Sequence, residues 1–299
     1  MKVLVTGREG QVARCLAARA ADQRDLETIF AARPEFDLAR PETIAPLIRA
    51  VRPDVVVSAA AYTAVDQAED EPELAFAVNG AGARDVAKAA ASVGAPVIHL
   101  STDYVFDGTL DRPYREDDPT GPQGVYGASK LAGERAIAEA NPNHVIMRTA
   151  WVYSPFGKNF VKTMLRLAET RDEVSVVADQ WGNPTSAGDI AEAVLVAARR
   201  LVNDDFDAWG IYHFAGEGEA SWADFAEEIF HVSGERGGPR ANVRRIGTAD
   251  YPTKARRPAN SRLDSSRFRR VFAHAAPRWQ QSVLSAVESL VLPIEKARS

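Results

Sequence analysis

Lys2-Val3-Leu4-Val5-Thr6-Gly7-Arg8-Glu9-Gly10-Gln11-Val12-Ala13 opens the chain. An apolar, β-rich run passes into a glycine turn, and an Ala-rich helical stretch over 11–21 follows. The spacing Gly7-x-x-Gly10-x-x-Ala13 lets a backbone turn tightly and approach a diphosphate. The helix behind it presents free N–H groups and a positive dipole end to an anion. Gly7 and Gly10 are therefore candidate cofactor contacts. A glycine turn with no ligand is the competing reading; the strand before and helix after favour a nucleotide.

Working outward, the same alternation repeats. Strands are expected at 2–6, 54–60, 96–101, 144–149, 174–177 and 210–215. Helices are expected at 43–51, 73–93, 124–140, 159–169, 189–202 and 222–232. Runs such as Asp54-Val55-Val56-Val57 are continuously apolar, as parallel strands covered on both faces require. The fold class is α/β, a Rossmann-type doubly wound parallel sheet. Residues 1–150 form the cofactor-binding domain, with later sheet elements from about 174–215. Residues 151–299, where loops lengthen, are mainly a smaller, interleaved C-terminal substrate-binding lobe.

Three further features carry chemistry. The second strand ends in Ala31-Ala32-Arg33, with no acid to accept a ribose 2′-hydroxyl. Arg33, with Arg8, either faces a 2′-phosphate, which selects NADPH over NADH, or is simply solvated. Asp37-Leu38 follow where an adenine would lie. Tyr126 and Lys130, four apart on a helix, share one face. A nearby ammonium favours a phenolate and brings a phenol near pKa 10 toward working pH. A plain surface pair is the alternative. Ser101-Thr102-Asp103 ends a buried strand, where open parallel sheets bind ligands. Thr102 either hydrogen-bonds a substrate oxygen there or caps a turn.

Composition excludes more than it selects. Of 299 residues, 45% are hydrophobic and 26% charged, and the net charge is −5, a poor balance for nucleic-acid binding. No apolar run approaches a membrane span, and the first residues do not form a signal peptide. Cys15 is alone and the five histidines are scattered, so disulfide and zinc chemistry are not expected, and a reducing cytoplasm is. The acidic run 69–73 reads as a solvated helix entrance. Residues 240–270 carry ten Lys/Arg against two Asp/Glu, which suits one anionic ligand.

In that order, Gly7-x-x-Gly10-x-x-Ala13, Ser101/Thr102 and Tyr126-x-x-x-Lys130 resemble the extended short-chain dehydrogenase/reductases. Ser58–Asp66, Ser101–Gly108, Val125–Glu134, Arg148–Tyr153, Asp179–Ser186 and Arg256–Ser261 resemble one family among them, the dTDP-4-dehydrorhamnose reductases, over nearly the whole chain. The resemblance implies reduction of the 4-keto group of dTDP-6-deoxy-L-lyxo-4-hexulose by NADPH, with NADH as the alternative cofactor. It implies Tyr126 as proton donor, Lys130 tuning it and holding the ribose, and Thr102 polarising the keto oxygen. Gln11 and Val12 join Gly10 at the phosphates, Asp37 and Leu38 lie near the adenosine, and Ala61, Tyr62 and Thr63 lie behind the nicotinamide. Thr102, Asp103 and Trp151 meet the substrate, although an aromatic after a strand is commonly core.

The chain departs from the family pattern in three places. Ala13 replaces a glycine, Ser58 stands where Asn is usual, and Cys15 stands where a glutamate would help bridge subunits through magnesium. No metal is therefore expected, and a homodimer would lack that bridge. A related nucleotide-sugar reductase or epimerase and a non-catalytic nucleotide-binding subunit are the rival functions.

Overall fold

The computed structural model describes residues 1–21, 23–203 and 205–292; the end of the expected lobe, 293–299, lies outside them. β1 (Lys2–Thr6), α1 (Gln11–Ala20), β2 (Glu27–Ala31), α2 (Ile44–Val51) and β3 (Val55–Ser58) come first. Short α3 (Val65–Ala68) and α4 (Pro72–Phe76) precede α5 (Ala83–Ala91), β4 (Val97–Thr102), α6 (Val125–Ala140) and β5 (His144–Thr149). Then come β6 (Val152–Tyr153), α7 (Phe160–Ala168), β7 (Glu173–Val177), β8 (Trp181–Gly182), β9 (Thr185–Ser186), α8 (Ala187–Leu201) and β10 (Gly210–His213). β11 (Ala220–Ser221), α9 (Trp222–Glu235), β12 (Asn242–Ile246), α10 (Ser266–Phe272) and α11 (Trp279–Val291) complete the order.

Six parallel strands form the central sheet in the order β2-β1-β3-β4-β5-β10. Period-two alternation divides β1 between two cores. Val3 and Val5 pack with Leu16 of α1 and Ile190 and Val194 of α8. Leu4 faces the other way, with Ile44 and Ile48 of α2 and Val86 of α5. The chain leaves β1 toward β2 and later returns to β3 on its other side. That reversal opens a crevice at the carboxyl ends of β1 and β3. A separate core joins α7, β7, α9 and α11 through Val161, Val174, Phe225, Ile229 and Val283.

Several expectations are corrected. The single helix expected over 73–93 is interrupted by a π-helical turn, Ala77–Gly82. Asn79 is held there by backbone groups of Tyr62, and a Cβ on Gly82 would lie 2.5 Å from the Leu38 carbonyl oxygen. Tertiary contacts, not helix propensity, shape that segment. The strand expected over 54–60 stops at Ser58, because the Thr6 hydroxyl accepts the N–H groups of Ala59 and Ala60. Of the late strands, β10 joins the central sheet but β7 pairs with β12 instead. β12 lies inside the basic stretch read as loop, and α10 and α11 had been given no helix.

α6 is drawn in unusually close. A Cβ on Gly127 would sit 2.1 Å from the Tyr104 carbonyl oxygen, and one on Gly133 would sit 2.1 Å from that of Asn79. Glu134 of α6 meets Arg148 of β5 at 2.7 Å, and both side chains are only 2% exposed. The Ser101 hydroxyl donates to the same carboxylate at 2.5 Å. Removing one member of such a pair leaves an uncompensated buried charge, which costs about 3–5 kcal/mol. Glu134→Leu should therefore lower unfolding free energy by about that amount in urea titrations. A loss under about 0.5 kcal/mol, typical of a surface substitution, would remove the anchoring role.

Candidate active site

The glycine turn meets its backbone demands with little help from side chains. Gly7 has φ +89° and its N–H donates to the Ala31 carbonyl at 2.6 Å; a Cβ would meet Ala60 at 3.3 Å. At the start of α1, Gly10 is extended, has no side-chain cap, and has open space where a Cβ would be. Uncapped N–H groups beside open space fit the diphosphate of a dinucleotide. Gln11 is turned elsewhere: its Oε1 accepts from Ser154 at 2.8 Å and from Asn159 at 2.9 Å. Val12 is half-buried beside it. Arg33 is exposed just past β2, and the Arg8 guanidinium reaches the Phe30 carbonyl at 3.5 Å, so both cations lie at that strand end. Asp37 is half-buried with its carboxylate on the Ala39 N–H at 3.0 Å, and Leu38 is buried.

Ala61, Tyr62 and Thr63 follow β3 at the crevice. Asn79 clamps them: its Oδ1 accepts the Tyr62 N–H at 2.8 Å, and its Nδ2 donates to the Tyr62 carbonyl and the Ser129 hydroxyl, each at 3.0 Å. Sequence reading passed over Asn79; the only signal was one amide inside an Ala- and Gly-rich helical stretch.

Thr102, Asp103, Tyr126 and Lys130 come together where β4 ends against α6. The Thr102 hydroxyl accepts from the Tyr104 N–H at 3.2 Å, so it does cap a turn, and it donates to Asp103 Oδ1 at 2.9 Å. Asp103 Oδ2 is buried without a hydrogen-bond partner. Burial pushes this carboxyl up to about 6. Tyr104 meets Tyr126 edge-on, with ring centroids 5.5 Å apart. The expected influence of Lys130 does not dominate Tyr126. Desolvation, then the Asp103 charge, pushes the phenol above its ordinary value, and a hydrogen bond from Thr102 opposes them. Lys130 Nζ instead donates to the Leu100 carbonyl at 2.7 Å and meets His99 Nε2 at 3.1 Å. Burial pulls its ammonium down to about 8, with the Glu134 charge opposing.

Trp151 takes a left-handed backbone, φ +49°, which is strained for a bulky residue. Its indole stacks on Trp222 at 3.6 Å and 10°, and Gly182 leaves room for it, since a Cβ there would lie 2.4 Å from the ring. Trp151 is half-buried, packed against the second core yet partly open. Trp222 carried no sequence signal beyond its place in a helix.

The basic stretch lines an open pocket of about 700 Å³ through Lys254, Arg256 and Arg257, with Asp107, Thr248 and Tyr251. Arg257 pairs with Asp66 at 2.6 Å and lies 6.0 Å from the Tyr104 ring centre, while Lys254 pairs with Asp70. The acidic run is therefore more than a solvated entrance. Asp70 holds a lysine of the pocket, and Glu69 Oε1 accepts the Val125 N–H at 2.8 Å, capping α6 from a distance. Among the described residues, no three His, Cys, Asp or Glu side chains group as metal ligands. Cys15 is buried, and burial pushes its thiol up to about 11.

Comparison with known proteins follows the same lines. The family described as "RmlD substrate binding domain" matches residues 1–292. A dTDP-4-dehydrorhamnose reductase from Sinorhizobium fredii is 55% identical over 98% of both chains. A crystal structure of a dTDP-4-dehydrorhamnose reductase from Clostridium acetobutylicum superimposes with TM-score 0.90 at 36% identity, over 97% of this chain and 99% of that one. One from Bacillus anthracis, in complex with NADP, gives 0.89 at 33%, over 96% and 99%. Among the described residues, no helix is long and apolar enough to cross a membrane.

Asp103 supplies a test. A carboxyl raised from about 3.9 to about 6 favours the folded state while protonated, and that stability is lost as pH rises from about 4 through 6. Asp103→Asn, neutral at every pH, should be more stable than the parent at pH 7.5 by up to about 3 kcal/mol. The gap should shrink toward pH 4. Equal differences at the two pH values in urea titrations would contradict the buried carboxylate.

Proposed function

We propose a chemistry for this site from one premise: the chain belongs to the dTDP-4-dehydrorhamnose reductase family. Its activity is that of an NADP-dependent oxidoreductase acting at the final step of dTDP-rhamnose synthesis. The observation that carries the assignment of roles is the meeting of Thr102, Tyr126 and Lys130 beside the crevice that holds the uncapped end of α1.

Residues around the sheet, 1–150 with β10, form the cofactor lobe, and the α7–α9–α11 core supports the sugar-nucleotide lobe. Gly7, Gly10 and the backbone of Gln11 and Val12 line the diphosphate turn. Asp37 and Leu38 sit at the adenosine, and Asn79 holds Ala61–Thr63 rigid behind the nicotinamide. Arg33, exposed at the end of β2, takes the 2′-phosphate and sets a preference for NADPH over NADH. When bound, the nicotinamide supplies the hydride that reduces the 4-keto carbon of dTDP-6-deoxy-L-lyxo-4-hexulose.

Negative charge then grows on the keto oxygen. Donors aimed at that oxygen stabilise the transition state more than the ground state. Tyr126 gives its phenolic proton to the oxygen, and Thr102 turns its hydroxyl from Asp103 to donate as well. A charged Lys130 offsets the burial that otherwise holds the Tyr126 proton back. Trp151 offers an apolar face to the deoxy-sugar, with Trp222 fixing its angle. Lys254, Arg256 and Arg257 face the substrate diphosphate across the open pocket.

Tyr126→Phe should lower kcat by about 10²–10⁴ while NADPH affinity stays within about a few-fold, followed by nicotinamide absorbance and NMR of the product. Near-normal turnover would dismiss Tyr126 as donor. Arg33→Ala should reduce the NADPH:NADH ratio of kcat/KM by about tenfold or more, and an unchanged ratio would return Arg33 to the solvated surface. Arg256→Met with Lys254→Met should raise KM for the dTDP-sugar; an unaltered KM would move the diphosphate away from this pocket.

A further inference from the structure

Behind the catalytic face lies a buried polar chain that the reaction above does not use. His99 stands in β4, opposite Ser58 of β3 in the sheet register. His99 Nδ1 lies 3.0 Å from Ser58 Oγ, and His99 Nε2 lies 3.1 Å from Lys130 Nζ. His99 is 1% exposed and Lys130 2%. An ammonium has donors and no acceptor, so Nε2 must accept from it. The ring proton then sits on Nδ1 and is donated to Ser58. The Lys130 ammonium thus fixes the tautomer, and the Ser58 hydroxyl, which can donate or accept, anchors the ring by accepting from Nδ1.

Lys130 has three N–H bonds. The Leu100 carbonyl takes one and His99 takes another. One remains, and two fixed partners decide its direction. We propose that His99, with its ring anchored by Ser58, is a positioning residue that aims the Lys130 ammonium toward the cofactor and Tyr126 and supports its charged form. This rests on the reading of Lys130 given above.

The surrounding charges leave His99 this role. From α6, Glu134 acts on Lys130, but Arg148 of β5 already holds that carboxylate. Asp103, past the end of β4, acts on Tyr126. β3 contributes the neutral Ser58 hydroxyl. The one charge acting on His99 among the described residues is Lys130, and it joins burial in keeping the imidazole neutral. A neutral imidazole is the form that can accept.

The readout is the alkaline limb of kcat against pH, where the Lys130 ammonium is lost; burial places it near 8 in the parent protein. His99→Leu removes an acceptor from a buried cation and should move that limb down by about one pH unit. His99→Gln, whose amide oxygen can accept from Nζ, should bring it back to within a few tenths. Ser58→Ala, which leaves the Nδ1 proton without its acceptor, should shift it in the same direction by less. Thermal midpoint and NADPH affinity, measured on each variant, show that the site is formed. An unmoved limb in folded His99→Leu overturns the proposal, and if that variant does not fold, an unmoved limb in Ser58→Ala does. Lys130→Met separates the two layers. If it retains full activity, the reading of Lys130 fails; if it is inactive while the His99 and Ser58 variants keep the parent profile, the positioning role alone fails.

Discussion

The guanidinium of Arg148 lies against the carboxylate of Glu134 with both groups out of water, and Ser101 closes on the same carboxylate. This contact ties α6 to β4 and β5. Tyr126 and Lys130 ride on α6; Thr102 and Asp103 end β4. An ion pair of this kind contributes little net stability relative to an apolar core, but it has one geometry. Gly127 and Gly133 allow that geometry by letting α6 approach the backbone at Tyr104 and Asn79. Glu69 caps the helix end from a third segment. Tyr126 and Lys130 are thus placed by a helix held at its start, its middle and its buried face.

The electrostatics of the crevice follow from burial more than from nearby charge. Desolvation raises Asp103 and Tyr126 and lowers Lys130. Each shift favours the neutral form, as a low-dielectric site requires. Charge that develops there is correspondingly sensitive to the few donors in reach. Outside, the basic stretch pairs with Asp66 through Arg257 and with the acidic run through Lys254–Asp70. A net charge of −5 conceals this local pairing of opposite signs.

Much of the fold was legible because its signals are local. Continuous apolar runs marked β1, β3, β4 and β5, and glycine spacing marked the turn into α1. The parallel central sheet appeared as read except that β7 lies outside it, and the family resemblance extended to residues 1–292. What escaped has no local signature. The π-helical turn at 77–82 depends on Asn79 reaching Tyr62 and Ser129. β12 carries two adjacent arginines and reads as loop until β7 is seen beside it. Trp222 acquires meaning only through its stack on Trp151.

The sequence by itself determined the α/β class, the glycine turn between β1 and α1, the Tyr126-x-x-x-Lys130 pair on one helical face and the family. Each is a matter of spacing along the chain, and periodicities of two and four residues survive without coordinates. The tertiary structure decided protonation and direction. That Tyr126 is raised by burial and Asp103, that Lys130 faces Leu100 and His99, and that Ser58 meets His99 all depend on atoms from β3, β4 and α6. Burial and hydrogen-bond partners are properties of what surrounds a group, and those surroundings come from segments far apart in the chain.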